Sequence, residues 1–95
     1  MQLEIVTPEA VVLQAEVDAV KVPGANGEFQ MLNDHAPIVS TLTKGEVEIR
    51  LTTVSRDFLE DLSSDFRKEG EKVLYYPIQG GVLEMKDNKA IILAD

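Results

Sequence analysis

The sequence contains no cysteine and a single histidine, and its 9 basic residues are outnumbered by 17 acidic ones. Without cysteine there is no disulfide scaffold, thiolate zinc site or cysteine nucleophile. One histidine excludes a multi-histidine metal site. The formal charge of −8 argues against general nucleic-acid binding, which needs basic side chains to displace phosphate counterions. It argues equally against adsorption on an anionic membrane. Long apolar runs are missing as well: none approaches the ~20 residues of a membrane helix, so membrane association has to come through a partner. The opening stretch MQLEIVTPEA has no basic start followed by an apolar run and does not read as a signal peptide. What is present, 95 residues with 44% apolar and 27% charged side chains, has the composition of one globular domain, expected to span residues 1–95.

A two-residue period runs through most of the chain. Gln2 to Thr7 and Ala10 to Gln14 are β-prone runs separated by Pro8-Glu9, and Glu16 to Val22 continues the pattern. Pro23 to Gly27 reads as a loop, Glu28 to Leu32 as a short strand, and Asn33-Asp34 as a polar break. The cleanest alternation is Glu46 to Leu51, where Val47, Ile49 and Leu51 face one way and the charges the other. Val73 to Ile78 is another strand, with Pro77 marking an edge or a strand end. Val82 to Lys86 and Ala90 to Ala94 flank a hairpin loop at Asp87-Asn88-Lys89. Strands at this spacing predict a mainly β domain, a flattened sandwich or barrel.

The pattern changes within residues 51–72. Phe58, Leu59, Leu62 and Phe66 recur at helical spacing, Ser55 can cap, Arg67 and Lys68 suit a last turn, and Gly70 can end it. The spacing predicts one inserted α-helix over residues 56–69, its apolar stripe docked on the domain's own core or, less usually, on a partner.

Chemistry-bearing constellations are few. His35 lies near Glu28, Asp34 and Ser40, but Ser40 sits in an apolar run with no nucleophile elbow around it. Gly24-Ala25-Asn26-Gly27 and Gly80-Gly81 precede strands, so neither offers an anion a helix N-terminus. Asp87 and Asn88 open like a calcium loop but lack the ligand spacing and closing glutamate. Turn chemistry accounts for all three segments. No cofactor, metal or catalytic residue is implied, and an acidic β-domain of this kind points to a protein partner.

Read in order, Leu3-Glu4-Ile5-Val6-Thr7-Pro8, Val22-Pro23-Gly24, Gly27-Glu28-Phe29, His35-Ala36-Pro37, Gly80-Gly81-Val82-Leu83-Glu84 and Ile91 to Asp95 resemble the N-terminal domain of the F-type ATP synthase epsilon subunit (delta in mitochondria). The resemblance implies a flattened β-sandwich of about ten strands that binds the gamma subunit and the polar loops of the c-ring. It implies a central-stalk subunit that couples proton flow to ATP synthesis without bond chemistry of its own. Such a subunit is peripheral, held at the cytoplasmic face of the bacterial plasma membrane through the complex. By the same resemblance Glu28 occupies the ring-contacting position, with Asn26, Phe29 and Gln30 beside it in a ring-facing loop from Pro23 to Gln30. His35, with Pro37, Ser40 and Thr41, falls on the gamma and ring side.

The departures are specific. Asn33-Asp34 replaces the family's Pro-Gly, Gln30 replaces a small residue, and residues 51–72 replace a short hairpin. The sequence ends at Asp95, where relatives begin a helical hairpin, so hairpin-mediated inhibition is not expected of it. The alternative to the family reading is a free-standing β-sandwich interaction module with an unrelated partner.

Overall fold

A computed structural model describes all residues, 1–95. Nine strands and one helical turn follow one another along the chain: β1 Gln2–Val6, β2 Val11–Gly24, β3 Gly27–Leu32, β4 Ile38–Leu42, β5 Gly45–Leu51, α1 Arg56–Glu60, β6 Arg67–Glu69, β7 Val73–Ile78, β8 Gly81–Lys86 and β9 Lys89–Ala94. The architecture is the flattened β-sandwich expected from the strand spacing, with nine strands in place of about ten.

β2 is common to both layers. Its first half pairs with β1, which continues through β9 and β8 to β4; its second half pairs with β3 on one side and β5 on the other, leading on to β7 and β6. β1 and β9 run parallel, every other ladder antiparallel. The layers bury Leu3, Ile5, Met31, Ile49, Leu74, Leu83, Met85 and Ile92 between them, in a core of 20 residues with no buried polar side chain. β5 shows why: Val47, Ile49 and Leu51 point inward and are buried, while Glu46 and Arg50 are exposed. Alternation of this kind drives the pairing, because each inward apolar side chain leaves water only if the strand keeps its register.

Three expectations need correcting. The Ala10–Gln14 and Glu16–Val22 runs form one 14-residue strand, β2, kept continuous by irregularities. Its register slips between Val17 and Ala19, so Val17 and Val20 both face the core despite their three-residue separation. Pro23-Gly24 belongs to β2 too: Pro23 stands opposite Glu28 and Gly24 opposite Gly27, leaving only Ala25-Asn26 as the turn. Proline is tolerated there because its carbonyl, which accepts from Thr43 N at 2.8 Å, is the group the sheet uses.

The helix is far shorter than residues 56–69. Ser55 caps it as expected, its side chain accepting from Phe58 N at 3.1 Å, but α1 stops at Glu60. Ser63 then takes over: its hydroxyl accepts from Asp65 N at 3.2 Å, a local turn that competes with helical bonding. Downstream, Phe66 is drawn to Tyr76, ring centroids 4.7 Å apart, and Arg67–Glu69 pairs with Val73–Tyr75 as a third rung of sheet beyond β5 and β7. Gly70 ends no helix; it turns β6 into β7 at φ 68°. Three of the four residues of the predicted stripe still dock: Phe58, Leu62 and Phe66 pack against the core, joined by Val54, whereas Leu59 does not.

β6 also orders a charged cluster on the outer face. Arg67 pairs with Glu46 at 3.1 Å and Glu69 at 3.3 Å and lies 4.1 Å from the centroid of the Tyr75 ring, while Tyr75 donates its hydroxyl to Glu48 at 2.8 Å. The bond to Glu48, followed by desolvation, raises the Tyr75 pKa; burial raises that of Tyr76. Both tyrosines hold their protons more tightly folded than unfolded. The stability this brings is complete below the unfolded value of about 10 and is lost as pH rises through the folded values. Tyrosinate absorbance should therefore develop above the ordinary tyrosine range, and Glu48→Gln should move one of the two transitions back toward it. A single transition at the ordinary value, unmoved by E48Q, would contradict the cluster.

Candidate partner-binding surface

The β2–β3 hairpin ends in the tight turn Ala25-Asn26, and β4 holds that tip in place. Ala25 N donates to Thr41 O at 2.9 Å, Thr43 N to Pro23 O at 2.8 Å, and Gly24 pairs with Leu42. These bonds anchor the tip at three successive points of the β4 end. Between hairpin and strand lies an open groove of about 460 Å³ lined by residues 24–29 with Val39, Ser40 and Thr41.

The structure thus brings together five of the eight residues singled out from the sequence: Asn26, Glu28, Phe29, Ser40 and Thr41. Asn26 and Glu28 are exposed and Phe29 is half-buried. Glu28 has no hydrogen bond or ion pair within the chain, so its carboxylate is free to meet an external donor. Gln30 lies further along β3, exposed, opposite Lys21.

His35 and Pro37 are not part of that groove. β3 carries the chain away from the tip, the 33–37 connection turns it, and β4 carries it back, so this connection lies at the other end of both strands. Asp34 adopts φ 62° and its N–H donates to Asn88 Oδ1 at 2.8 Å; the Met1 ammonium donates to Asn33 and, at 3.0 Å, to Glu16. The His35 ring is half-buried with Nδ1 2.7 Å from its neighbour Ala36 O, and Ser40 Oγ donates to Thr41 O at 3.3 Å. Neither side chain's hydrogen bonding engages the other.

A feature that the sequence pattern did not bring out adjoins the groove. In the ladder, Thr41 stands opposite Val82, Val82 opposite Leu93, Leu93 opposite Val6, and Val6 opposite Val11. This row crosses the outer face of the β4–β8–β9–β1 layer. Val11, Val82 and Leu93 are 52%, 40% and 53% exposed, and Val39, two residues from Thr41 on the same face, reaches 70%. Four of the five large exposed apolar side chains in the protein therefore share one face; the fifth, Leu32, ends β3. Contiguous exposure of this kind marks interaction surfaces more often than scattered apolar residues do. One signal was available. Ala90 to Leu93 is apolar at every position, the mark of a strand covered on both faces, whereas its partner β8 carries Glu84 and Lys86 outward.

The structure gathers no three histidine, aspartate or glutamate side chains into a group that could hold a metal ion, and His35 and Ser40 do not pair with each other. What it offers is a stiff β-scaffold with an apolar row on one face and, where the row meets β4, a hairpin tip carrying an unpaired carboxylate. That defines a domain of the β-sandwich class. The family model for the ATP synthase delta/epsilon chain β-sandwich domain matches residues 1–95, and the chain belongs to this family. It is 35% identical over 95 residues to the ATP synthase epsilon chain of Leptospira borgpetersenii, covering 100% of this chain and 61% of the relative. Against the ATP synthase epsilon chain of Chlorobaculum tepidum it is 34% identical over 93 residues, 98% of this chain and 86% of the relative. Among solved structures, a chain of the Tetrahymena thermophila mitochondrial ATP synthase central stalk and c-ring superposes with a TM-score of 0.71 at 18% identity, covering 99% of this chain and 62% of that one. The chain thus spans about three-fifths of the length of the Leptospira relative.

Proposed function

We propose that this domain serves in the central stalk of a rotary, proton-driven ATP synthase, binding the gamma subunit and the polar loops of the c-ring and so coupling proton flow to ATP synthesis. The observation that carries the reading is the continuity of the apolar row with the Glu28 hairpin through Thr41. One rigid body can then grip a shaft through apolar area and meet a ring through a polar tip. Family membership supports the same assignment, as does the likeness to a central-stalk chain at the level of fold. In this role the domain makes and breaks no bonds; torque passes through the summed interface and a stiff scaffold. No helix of the structure is long and apolar enough to cross a membrane, and the proposed location is peripheral, at the cytoplasmic membrane face through the complex.

Co-purification tests it: the tagged chain should retain gamma from a membrane extract, and absence of gamma would remove the proposal. The hairpin makes a separate prediction. A carboxylate on an exposed tip contributes about 1 kcal/mol or less per ion pair, so Glu28→Lys should weaken association with ring-containing complex by about fivefold. Raising the salt concentration should shrink that difference. Binding to gamma alone should not change. Equal ring association for both proteins at low salt would take Glu28 out of the interface.

A further inference from the structure

The row of exposed apolar residues does not stop at Val11. Val11 also lines an open groove of about 280 Å³ with Val12, Leu13, Phe58, Asp61 and Leu62, formed where the 52–66 excursion lies against the start of β2. We infer that this segment extends the gamma-binding face, so that the same shaft occupies both the row and the groove. The inference rests on the central-stalk reading and goes beyond it, because it assigns a partner contact to residues 54–62, outside the β4–β8–β9–β1 layer.

Three observations single out that occupant. The first is extent. A stable protein interface takes about 20–30 residues a side, and the row with its neighbours Val39 and Ile91 supplies only a handful. The contact must therefore continue past one end. At the β4 end lies the hairpin groove, with three apolar residues of nine; at the Val11 end lies a groove with five apolar residues of seven, Gln14 and Asp61 being the polar ones. The second is continuity: Val11 belongs to both features, standing opposite Val6 in the ladder while lining the groove with Phe58 and Leu62. The third is charge. Asp57, Glu60 and Asp61 on and beside α1, with Glu9 on the β1–β2 turn, are all exposed at this end of the domain and outnumber the one exposed cation of α1, Arg56. A second copy would set these carboxylates against their own kind within about a Debye length of 8–10 Å, on a chain whose net charge is −8. A shaft surface with apolar residues flanked by lysine or arginine is the complementary partner.

Hydrogen exchange of the whole chain, alone and bound to purified gamma, reads this directly. Amides of residues 54–62 should exchange at least severalfold more slowly in the complex, together with those of β8 and β9. Leu62→Lys should weaken gamma binding about tenfold, and V82K/L93E, which alters only the row, should weaken it more. If the row is protected and V82K/L93E fails to bind while 54–62 exchange at the free rate, the inference falls and the central-stalk reading stands. If gamma binds but protects neither segment and V82K/L93E binds normally, the inference falls together with the row as the gripping face; if gamma does not bind the wild-type chain at all, the central-stalk reading falls as well. Should Leu62→Lys fold poorly, exchange of the wild-type chain decides.

Discussion

Gly81→Ala is expected to remove about 3–5 kcal/mol of folding stability, adding the cost of a glycine-only backbone conformation to that of overpacking. Gly81 opens β8 at φ 153°, opposite Ala94 on β9 and Leu42 on β4. A Cβ built there would stand 2.3 Å from Leu93 O and 3.1 Å from Ala94 Cα. Both obstacles are backbone, so no side-chain rotation relieves them, and the β8–β9 ladder has to move apart where it starts. A domain of this size holds about 5–15 kcal/mol in total; at about 4–8 °C per kcal/mol the midpoint should fall by roughly 12–40 °C. Gly27→Ala is the control. Gly27 also has positive φ, 120°, but nothing lies within 4 Å of a Cβ there. It should cost only the backbone term, about 1–2 kcal/mol. Denaturant melts of the two variants separate strain from collision, and equal losses would show that the β8–β9 approach is less tight than described.

The double substitution V82K/L93E should lower gamma affinity about 100-fold or more while leaving the fold intact. Val82 and Leu93 face each other across the β8–β9 ladder with their side chains in solvent. Lysine opposite glutamate keeps that pair attractive in the free domain, and exposed sites of this kind change stability by about 0.5 kcal/mol or less each. In a complex the same two charges would be sealed against an apolar shaft. Leaving a charge buried and mismatched at an interface costs about 2–5 kcal/mol. Titration of gamma with wild type and variant, alongside thermal melts, gives both quantities. Unchanged affinity would mean the exposed row is not the gripping face.

Local periodicity carried the sequence reading where one face of a strand is buried and the other wet. β5 stands where the alternation of Val47, Ile49 and Leu51 placed it, and β7 spans the expected run Val73 to Ile78, with Pro77 next to its end. The β8–β9 turn at Asp87-Asn88, with φ of 53° and 59°, sits where turn chemistry put it. The failures have physical causes. Phe58, Leu62 and Phe66 are spaced for a helix, yet the spacing does not distinguish a helix from a short turn followed by a strand when every one of those residues reaches the core. The choice was made by Ser63, which closes a competing turn, and by Tyr76, which holds Phe66 from a distant strand. The slip in β2 hides its alternation, and the parallel β1–β9 pairing that joins the two ends of the chain is a tertiary fact with no local sign. For the candidate site, the resemblance named the hairpin carboxylate and two of the three β4 residues that line its groove, Ser40 and Thr41 but not Val39. It grouped His35 and Pro37 with Ser40 and Thr41 on the gamma and ring side, and the structure sets the 33–37 connection at the end of β4 away from the tip. The apolar row emerged only from the ladder, because outward residues on neighbouring strands become one surface through register.

The most direct test is functional replacement. Membrane vesicles whose ATP synthase has been stripped of its own copy of this subunit would be given the purified chain and driven by an imposed proton gradient. Return of gradient-driven ATP synthesis with the wild-type chain, and little or none with V82K/L93E, is the expected result. If the wild-type chain binds the stripped complex and synthesis stays at the level of stripped vesicles that received no chain, the domain does not couple rotation and its proposed role is wrong.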